Sequence, residues 1–333
     1  TVNALFERYI ESKKLADSTR SNYIATWNNR VRDEIGGMKV VQVRPSHIRL
    51  FYSRLTKDGY SHSTIKLIHN LLYPSFEMAV DDDIIRKNPA KDALGDNGEP
   101  AKEKMALTPS QQNRLLSFVE QSSVYNVYLP MLQIMIGTGC RCGELIGLTW
   151  ADVDMEKKEV SISCQLIYKN YGDGYKFHVS TPKTDAGIRK IPMSDTVYKA
   201  FAAQKRQNFL QRIPRNVEIE GRTDFIFMSK NGRPLMPSAV NNVLYNIVAA
   251  YNKQETEQAK KEKREAECMP SISAHTLRHT GCTRMAEQGL DMKVVQYIMG
   301  HANIGVTMEV YNHITEWARI ENEIAKMDAV QVV

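Results

Sequence analysis

Apolar residues recur at helical spacing through the first quarter of the chain. In the first segment they fall at offsets of 0, 3, 4, 7 and 8, and so share one helix face: Val2, Leu5, Phe6, Tyr9 and Ile10. The pattern predicts four helices, over residues 2–14, 18–33, 45–56 and 62–84. Pro45 suits a helix start, and Pro74 is expected to bend the last helix. Four helices without strands predict a small all-helical domain over residues 1–87.

The pattern changes after residue 87. Residues 88–106 combine proline, glycine and charged residues, a composition that favours a linker. Beyond them, alternating apolar and polar positions predict strands over residues 159–169, 175–180, 188–193 and 224–228. The helices predicted around these strands cover residues 108–121, 126–137, 141–149, 194–212, 237–266, 275–288, 291–299 and 315–327. The sequence therefore predicts a mainly α protein with a small antiparallel β-sheet, whose second domain is formed by residues 107–333.

Length and composition narrow the possible classes of protein. At 333 residues the chain exceeds the usual size of a single core, which favours two domains. No run of about 18 apolar residues occurs, so no membrane-spanning helix is expected. The five cysteines form no C-x-x-C pair, which favours a reducing cytoplasm as the location. Because the chain begins at Thr1 rather than Met, we expect it to be a fragment or a processed form.

The net charge of +6 is distributed unevenly along the chain. Residues 1–80 contain 12 Lys and Arg against 7 Asp and Glu, whereas residues 81–106 contain 5 against 7. A basic N-terminal segment is typical of a surface that contacts nucleic acid, and it is equally typical of ordinary surface charge. Charge alone therefore leaves both interpretations open.

The segment GTGCRCGEL, residues 137–145, places two glycines before a predicted helix. Arg141 lies in the first turn, and Glu144, three residues further on, shares its face and can orient its guanidinium. A helix N-terminus also favours a bound anion through its free N–H groups. The alternative interpretation is a glycine-rich turn with a structural Arg–Glu pair.

A second cluster of polar residues lies in HTLRHTGCTR, residues 275–284. His275 and Arg278 are three residues apart and therefore share a helix face. His275 and His279, four residues apart, also have the spacing of two metal ligands. We discount a metal site because Thr276 stands where an H-E-x-x-H motif has Glu, and because no convincing third ligand follows. A surface salt-bridge cluster is the remaining alternative.

Three further residues, each considered alone, are most simply explained by an ordinary structural role. They are Lys183 at a turn between two strands, His301 after an apolar run and Gly, and Tyr311 ten residues later. Combined with Arg141 and Arg278, they suit phosphodiester chemistry. Two guanidinium groups can stabilise the negative charge that develops on phosphate oxygens, and no metal is then required. Tyrosine supplies a nucleophile for a covalent intermediate, and lysine can act as the general acid.

The order and spacing of these residues resemble those of the tyrosine recombinases, the phage-integrase family. The segments that carry the resemblance are TGCRCGEL, TPKT, HTLRHTGCTRM and IMGHANIGVTMEVY. The match covers roughly residues 107–325, and residues 1–85 resemble the helical core-binding domain of the family. The long hairpin QLIYKNYGDGYKFHVSTPKT most resembles the integrases of conjugative transposons. Those proteins usually have a further N-terminal arm-binding domain, and we expect this chain to lack it.

The resemblance implies a two-domain clamp around DNA and a role for each matching residue. The arginines would clamp the scissile phosphate, the lysine would be the general acid, and the histidines would hydrogen-bond the phosphate or assist proton transfer. The tyrosine would be the nucleophile, leaving a 3′-phosphotyrosyl link and a free 5′-hydroxyl, with no cofactor or metal. The catalytic residues implied in this way are Arg141, Lys183, His275, Arg278, His301 and Tyr311.

The resemblance also implies partners. These are double-stranded DNA at specific recombination sites, further copies of the chain in a dimer or tetramer, and an accessory DNA-bending or excision factor. The predicted tail helix 315–327 has one apolar stripe, formed by Trp317, Ile320, Ile324 and Met327. We expect this stripe to bury itself against a neighbouring protomer, with packing on its own domain as the alternative.

Three other functions are compatible with parts of the pattern. A type IB topoisomerase shares the phosphotyrosine chemistry but relaxes supercoils as a monomer, and the Gly-His spacing and the tail favour a recombinase. A DNA-binding protein without catalysis would be expected to miss one of the six residues. A metal-dependent nuclease would be sensitive to chelators. Integration and excision of a mobile element is therefore the function that we expect.

Overall fold

The structure is a computed structural model, and it describes residues 1–100, 106–182, 185–214 and 217–312. The backbone divides into two compact units. The first contains the described residues up to 100, and the second contains the described residues 106–170 and those from 174 onward. Each unit has its own buried apolar core. Lys183 and the predicted tail helix 315–327 lie outside the described residues.

The first unit is built from four helices: α1 Val2–Ser12, α2 Asp17–Arg30, α3 Pro45–Lys57 and α4 His62–Asp81. The prediction of four helices is confirmed, and every helix end lies within three residues of its predicted position. The side chains of Thr1 and Ser61 accept backbone N–H groups at the starts of α1 and α4, which satisfies donors that a helix start leaves free. α4 continues through Pro74.

The core of the first unit is centred on aromatic packing. The ring of Phe6 stacks on Trp27 with 3.9 Å between the ring centroids, and the indole N–H of Trp27 donates to Asn3 at 2.8 Å. The segment predicted as a linker takes part in this core, because Ala90 and Ala93 are buried in it. Residues 88–100 therefore belong structurally to the first unit. The assignment of separate functions to the two units stays a prediction.

The second unit contains eight helices within the described residues. They are α5 Pro109–Gln121, α6 Leu129–Thr138, α7 Cys142–Gly147, α8 Asp195–Gln211, α9 Pro237–Glu262, α10 Ala274–Glu287, α11 Met292–Met299 and α12 Ile304–Asn312. All except α12 were predicted. In α12 the apolar residues Ile304, Val306, Met308 and Val310 alternate with polar or small ones, so the helical stripe that would have predicted it is absent. None of the described helices has the length and apolar character needed to cross a membrane.

The strands of the second unit form two small antiparallel sheets. They are β1 Val153–Asp154, β2 Glu159–Ile162, β3 Gln165–Asn170, β4 Tyr175–Ser180 and β5 Arg189–Pro192. One sheet has the order β1-β2-β5 and the other pairs β3 with β4. Along the chain Lys183 falls between β4 and β5, which belong to different sheets, and its expected position on a turn stays a prediction because it lies outside the described residues.

Two of the predicted strands need correction. The prediction of one strand over 159–169 is wrong, because the chain changes partner between Ile162 and Gln165. The buried positions 160, 162, 164 and 166 keep the same parity across this break, so alternation alone could not reveal it. The strand predicted over 224–228 is also wrong, since Phe225 and Met228 form only isolated bridges.

The contact between α6 and α10 positions two arginines of the candidate site. α6 leads to Arg141, and α10 carries Arg278. Gly281 lies on α10 at the point of closest approach. A Cβ at this position would be 2.2 Å from the backbone carbonyl oxygen of Ile136 in α6. The two helices can therefore come this close only with glycine at residue 281.

We expect Gly281→Ala to destabilise the protein, although alanine is intrinsically the better helix former. The added methyl group meets backbone rather than a flexible side chain, so the helices must separate, at a cost of about 1–3 kcal/mol. Urea denaturation measures this loss. Gly37→Ala is the control, because nothing lies within 4 Å of a Cβ at residue 37. Equal stability of the two variants would show that the α6–α10 contact tolerates the methyl group.

Candidate active site

The turn between α6 and α7 places Arg141. α6 ends at Thr138, and Gly139 follows in the left-handed conformation with a φ of 58°. This backbone angle favours glycine, and a Cβ at Gly139 would also lie 2.3 Å from the sulfur atom of Met299, whose side chain would have to move. Arg141 then forms the N-terminal cap of α7.

Glu144 holds Arg141 at two points. Its Oε2 accepts the backbone N–H of Arg141 at 2.8 Å, and its Oε1 accepts Nη1 of the guanidinium at 2.7 Å. Nη2 of Arg141 donates to the carbonyl oxygen of Gly300 at 3.1 Å. The side chain of Arg141 keeps 42% of its surface exposed, whereas that of Glu144 keeps 3%. The pair indicated by the sequence is present, and it leaves the arginine partly open to solvent.

Arg278 reaches the same place from α10 and is buried. Its Nη1 donates to the carbonyl oxygen of Gly139 and its Nη2 to that of Met299, each at 2.6 Å. Burial, together with the positive charge of nearby Arg141, lowers the pKa of Arg278 to about 10. The guanidinium therefore remains protonated at neutral pH, in surroundings that disfavour its charge.

His301 follows the C-terminal end of α11. Its Nδ1 lies 3.0 Å from the hydroxyl oxygen of Thr307, which is buried in α12. Burial, followed by the charges of Arg278, Arg141 and Arg189, lowers the pKa of His301 to about 4. The imidazole is therefore neutral at pH 7, with one ring nitrogen able to donate a hydrogen bond and the other able to accept one.

Arg189 is a residue of the site that the sequence analysis missed. It lies on β5 with a side chain that has no exposed surface, and its Nη2 donates to Oε2 of Glu144 at 2.9 Å. Its Nε donates to the carbonyl oxygen of Ile298 at 2.6 Å. A signal was available, because Arg189 has the same strand parity as the buried Ile191 and Met193. Alternation therefore places an arginine on the buried face of the strand.

Three arginines hold three consecutive carbonyl groups at the C-terminal end of α11. Arg189, Arg278 and Arg141 donate to the carbonyl oxygens of residues 298, 299 and 300, respectively. The last carbonyl groups of a helix have no partner within the helix and carry the negative end of its dipole. We refer to the three arginines and Glu144 as the arginine cluster. The positive charges of its three guanidinium groups exceed the single negative charge of Glu144.

Tyr311 lies in the last turn of α12 and is buried. Its hydroxyl donates to the carbonyl oxygen of Leu290 at 2.5 Å. Its ring belongs to a small apolar core that also contains Met285, Val295 and Met299. The hydroxyl proton is therefore engaged by the backbone, and a nucleophilic role requires this hydrogen bond to be exchanged for contact with a phosphate.

Two candidate catalytic residues remain, His275 and Lys183. His275 lies in the first turn of α10, one turn before Arg278, with an exposed side chain. Lys183 lies outside the described residues. The described residues contain no group of three His, Cys, Asp or Glu side chains that could hold a metal ion. The structure thus brings Arg141, Arg278 and His301 together, and the catalytic roles of the six residues stay predictions.

Comparison with known proteins gives matches over most of the chain. The model of the phage integrase family matches residues 105–317. The transposase of transposon Tn916 from Enterococcus faecalis is 35% identical over 288 residues, which is 85% of this chain and 66% of that protein. The chain therefore spans slightly less than two thirds of the length of this relative.

Solved structures match as well. The integrase of transposon Tn1549, in complex with transposon right end DNA, has a TM-score of 0.81 and 31% identity, covering 98% of this chain and 99% of that one. A dimer of lambda integrase bound to a core site has a TM-score of 0.60 at 16% identity, covering 95% of this chain and 98% of that one. The second similarity concerns the fold alone.

We expect the imidazole of His301 to titrate near pH 4, about where burial and three nearby arginines place it. The unfolded chain binds this proton at the ordinary histidine pKa of about 6.5. Between these two values the unfolded state binds more protons than the folded state, so stability is lost as the pH falls. An NMR titration of the histidine side chains measures the pKa.

His301→Gln tests the link to stability. Urea denaturation at about pH 7 and about pH 5 should show a smaller loss of stability for this variant than for the wild type, because the titrating group is gone. The same pH dependence in both proteins would contradict the lowered pKa.

Proposed function

The chain belongs to the phage integrase family of tyrosine recombinases, and on that premise we propose that it is a site-specific DNA recombinase of the conjugative-transposon type. It cuts and rejoins DNA strands through a 3′-phosphotyrosine intermediate, for the integration and excision of a mobile element. The observation that carries this proposal is the convergence of Arg141, Arg278 and the neutral His301 at one end of α11.

The arginines suit the charge that phosphoryl transfer develops. Negative charge accumulates on the non-bridging phosphate oxygens, and a guanidinium can donate two parallel hydrogen bonds to such oxygens. Arg141 offers a partly exposed guanidinium, and Arg278 adds a buried positive charge beside it. The two charges repel each other, and this repulsion contributes to the lowered pKa of Arg278. A bound phosphate would relieve it.

The proposed reaction conserves the energy of the phosphodiester bond. The phenolic oxygen of Tyr311 attacks the scissile phosphorus as its proton passes to the neutral imidazole of His301, and the bond from phosphorus to the 5′-oxygen breaks. The 5′-oxygen takes a proton from Lys183 and becomes a free hydroxyl. Attack by a 5′-hydroxyl on the phosphotyrosine reverses these steps and rejoins a strand. His301 and His275 would hydrogen-bond the phosphate or assist the proton transfers.

The proposed substrate is double-stranded DNA at specific sites of a mobile element. The similar Tn1549 integrase has been solved with transposon right end DNA and with circular intermediate DNA, which supports this class of substrate. The basic residues 1–80 would contribute DNA contacts, so that the two units act as a clamp. We place this reaction in the bacterial cytoplasm, with the chain assembled into a dimer or tetramer through residues 315–327 and aided by an accessory DNA-bending or excision factor.

Three alternatives lead to different results in one assay. A type IB topoisomerase would relax supercoiled DNA without joining two duplexes. A metal-dependent nuclease would stop in excess EDTA and leave no protein bound to the DNA. A binding protein without catalysis would form no covalent adduct. A nicked or suicide duplex that carries candidate transposon ends separates the nuclease and the binding protein from a recombinase by the covalent adduct. Joining of the cut strand to a second duplex separates the topoisomerase.

We predict that Tyr311→Phe abolishes the covalent DNA adduct and leaves DNA binding nearly intact. The variant loses the nucleophilic oxygen and changes almost no surface. Denaturing gels of protein with suicide DNA detect the adduct, and gel shifts measure binding. The wild type should form the adduct in excess EDTA.

Tyr297→Phe is the matched control, because Tyr297 also uses its hydroxyl in a hydrogen bond, to the backbone N–H of Lys190. This variant should keep adduct formation. Covalent DNA on Tyr311→Phe, or a metal requirement in the wild type, would remove Tyr311 from the role of nucleophile.

We predict that Arg141→Lys and Arg278→Lys each slow cleavage by about 10²–10³-fold, the usual effect of losing one donor to a developing oxyanion. Lysine keeps the charge but cannot form the paired hydrogen bonds of a guanidinium. Single-turnover cleavage of suicide DNA measures the rate. Near-normal cleavage by either variant would exclude that residue from the phosphate clamp.

A further inference from the structure

We propose that Arg189 is a positioning residue for strand cleavage, which together with Glu144 fixes Arg141 and the backbone that leads into His301. The inference deepens the proposed function and rests on it for the kinetic part of its test. Arg189 has no exposed side-chain surface and therefore acts through the residues that it holds rather than through contact with DNA.

The hydrogen bonds of Arg189 connect three parts of the second unit. Its Nη2 donates to Oε2 of Glu144 at 2.9 Å, which ties β5 to α7. Its Nε donates to the carbonyl oxygen of Ile298 at 2.6 Å, which ties β5 to the end of α11. Its Nη1 donates to the carbonyl oxygen of Gly187 at 3.0 Å, which fixes the start of its own strand. One guanidinium thus sets the relative positions of these elements.

Glu144 connects Arg189 to Arg141, because its carboxylate accepts hydrogen bonds from both. The same carboxylate accepts hydrogen bonds from Arg189, from the backbone of Arg141 and from the guanidinium of Arg141. Burial would raise the pKa of Glu144, but the hydrogen bond and charge of Arg189, together with the hydrogen bonds of Arg141, hold the pKa below its usual value. Without Arg189, the buried carboxylate would keep only the partly exposed Arg141 as its cationic hydrogen-bond partner.

The close approach of Arg189 also explains the glycine before His301. Gly300 adopts the left-handed conformation with a φ of 61°, which favours glycine on backbone grounds alone. A Cβ at this position would lie 2.8 Å from Nη1 of Arg189 and 3.0 Å from the carbonyl oxygen of Ala186. The guanidinium therefore passes directly beside the backbone that carries His301, and there is no space for another side chain.

Lysine cannot replace Arg189 in this position. A guanidinium is planar and presents donors in three fixed directions, and here they reach a carboxylate and two backbone carbonyl groups. A lysine has one nitrogen on a flexible chain and can keep the charge without fixing all three partners at once. Arg189→Lys therefore separates the effect of geometry from the effect of charge.

The test compares three variants of the full chain: Arg189→Lys, Arg189→Gln and the double variant Glu144→Gln with Arg189→Gln. Arg222→Lys is the matched control. Arg222 also forms a largely buried pair with an acidic residue, Asp152, and its hydrogen bonds go to residues outside the arginine cluster. Thermal unfolding, DNA gel shifts and single-turnover cleavage of suicide DNA are measured for each protein.

We expect Arg189→Lys to bind DNA like the wild type and to cleave it about 10- to 100-fold more slowly, as is usual when the residue behind a functional group is lost. The double variant should be more stable than Arg189→Gln, because no uncompensated carboxylate stays buried. It should remain slow, because Arg141 has lost the carboxylate that orients it. Arg222→Lys should lose stability and keep its cleavage rate.

A second readout needs no DNA. The charged groups that face His301 are Arg278 on α10, Arg141 before α7, Glu144 on α7 and Arg189 on β5. Arg189→Gln removes one positive charge and leaves Glu144 less compensated, and both changes favour the protonated imidazole. An NMR titration should therefore show the pKa of His301 rising above the wild-type value in this variant and unchanged in Arg222→Lys.

The proposal is overturned by wild-type cleavage in Arg189→Lys, or by a double variant that recovers rate together with stability. An unchanged His301 pKa in folded Arg189→Gln also overturns it. If Arg189→Gln does not fold, the cleavage rates of Arg189→Lys and of the double variant still test the positioning role of Arg189. If the wild type forms no covalent adduct, the proposed function fails. The His301 titration in Arg189→Lys, which keeps the charge, then decides whether the geometry of Arg189 positions the cluster: a shifted pKa supports the proposal and a wild-type pKa overturns it.

Discussion

The hydrogen bonds to the C-terminal carbonyl groups of α11 are the constraint on which the candidate site depends. Three arginines from three places in the sequence donate to three consecutive carbonyl oxygens there. These donors lie 21, 109 and 159 residues away along the chain, so two of the three contacts form only when distant parts of the second unit come together. Hydrogen bonds from charged donors are roughly twice as strong as neutral ones, and burial strengthens them further. The end of one helix therefore fixes the three arginines of the cluster.

The same arrangement sets the electrostatic character of the site. Three guanidinium groups face a single carboxylate, that of Glu144, and the nearby His301 is neutral because of burial and those positive charges. The positive charges repel one another, and this repulsion contributes to the lowered pKa of Arg278. A group with negative charge on several oxygens would satisfy the cluster better than water does. The folded state thus concentrates positive charge in one place, as the proposed phosphate clamp requires.

The packing of α12 links the arginine cluster to the candidate nucleophile. Met299, whose carbonyl oxygen accepts from Arg278, is also buried in the small core that holds the ring of Tyr311. Thr307 of α12 contacts the imidazole of His301. A shift of α12 would therefore change both the surroundings of the histidine and the hydrogen bond that Tyr311 makes to Leu290. The contacts that pack α12 are therefore also the contacts that hold His301 and Tyr311.

The sequence by itself determined the described α-helices other than α12, because their apolar stripes arise from local spacing. It also determined the candidates Arg141, Arg278 and His301, because short motifs show their chemistry. It did not determine the partners of the strands, since the alternation in residues 159–169 continues where the chain passes from one sheet to another. Nor did it determine the role of Arg189, whose alternation signals burial but names no partner. Only the tertiary structure decided that a buried arginine on β5, a carboxylate on α7 and the end of α11 meet. The physical reason is that hydrogen bonds between residues distant in sequence leave no periodic trace along the chain.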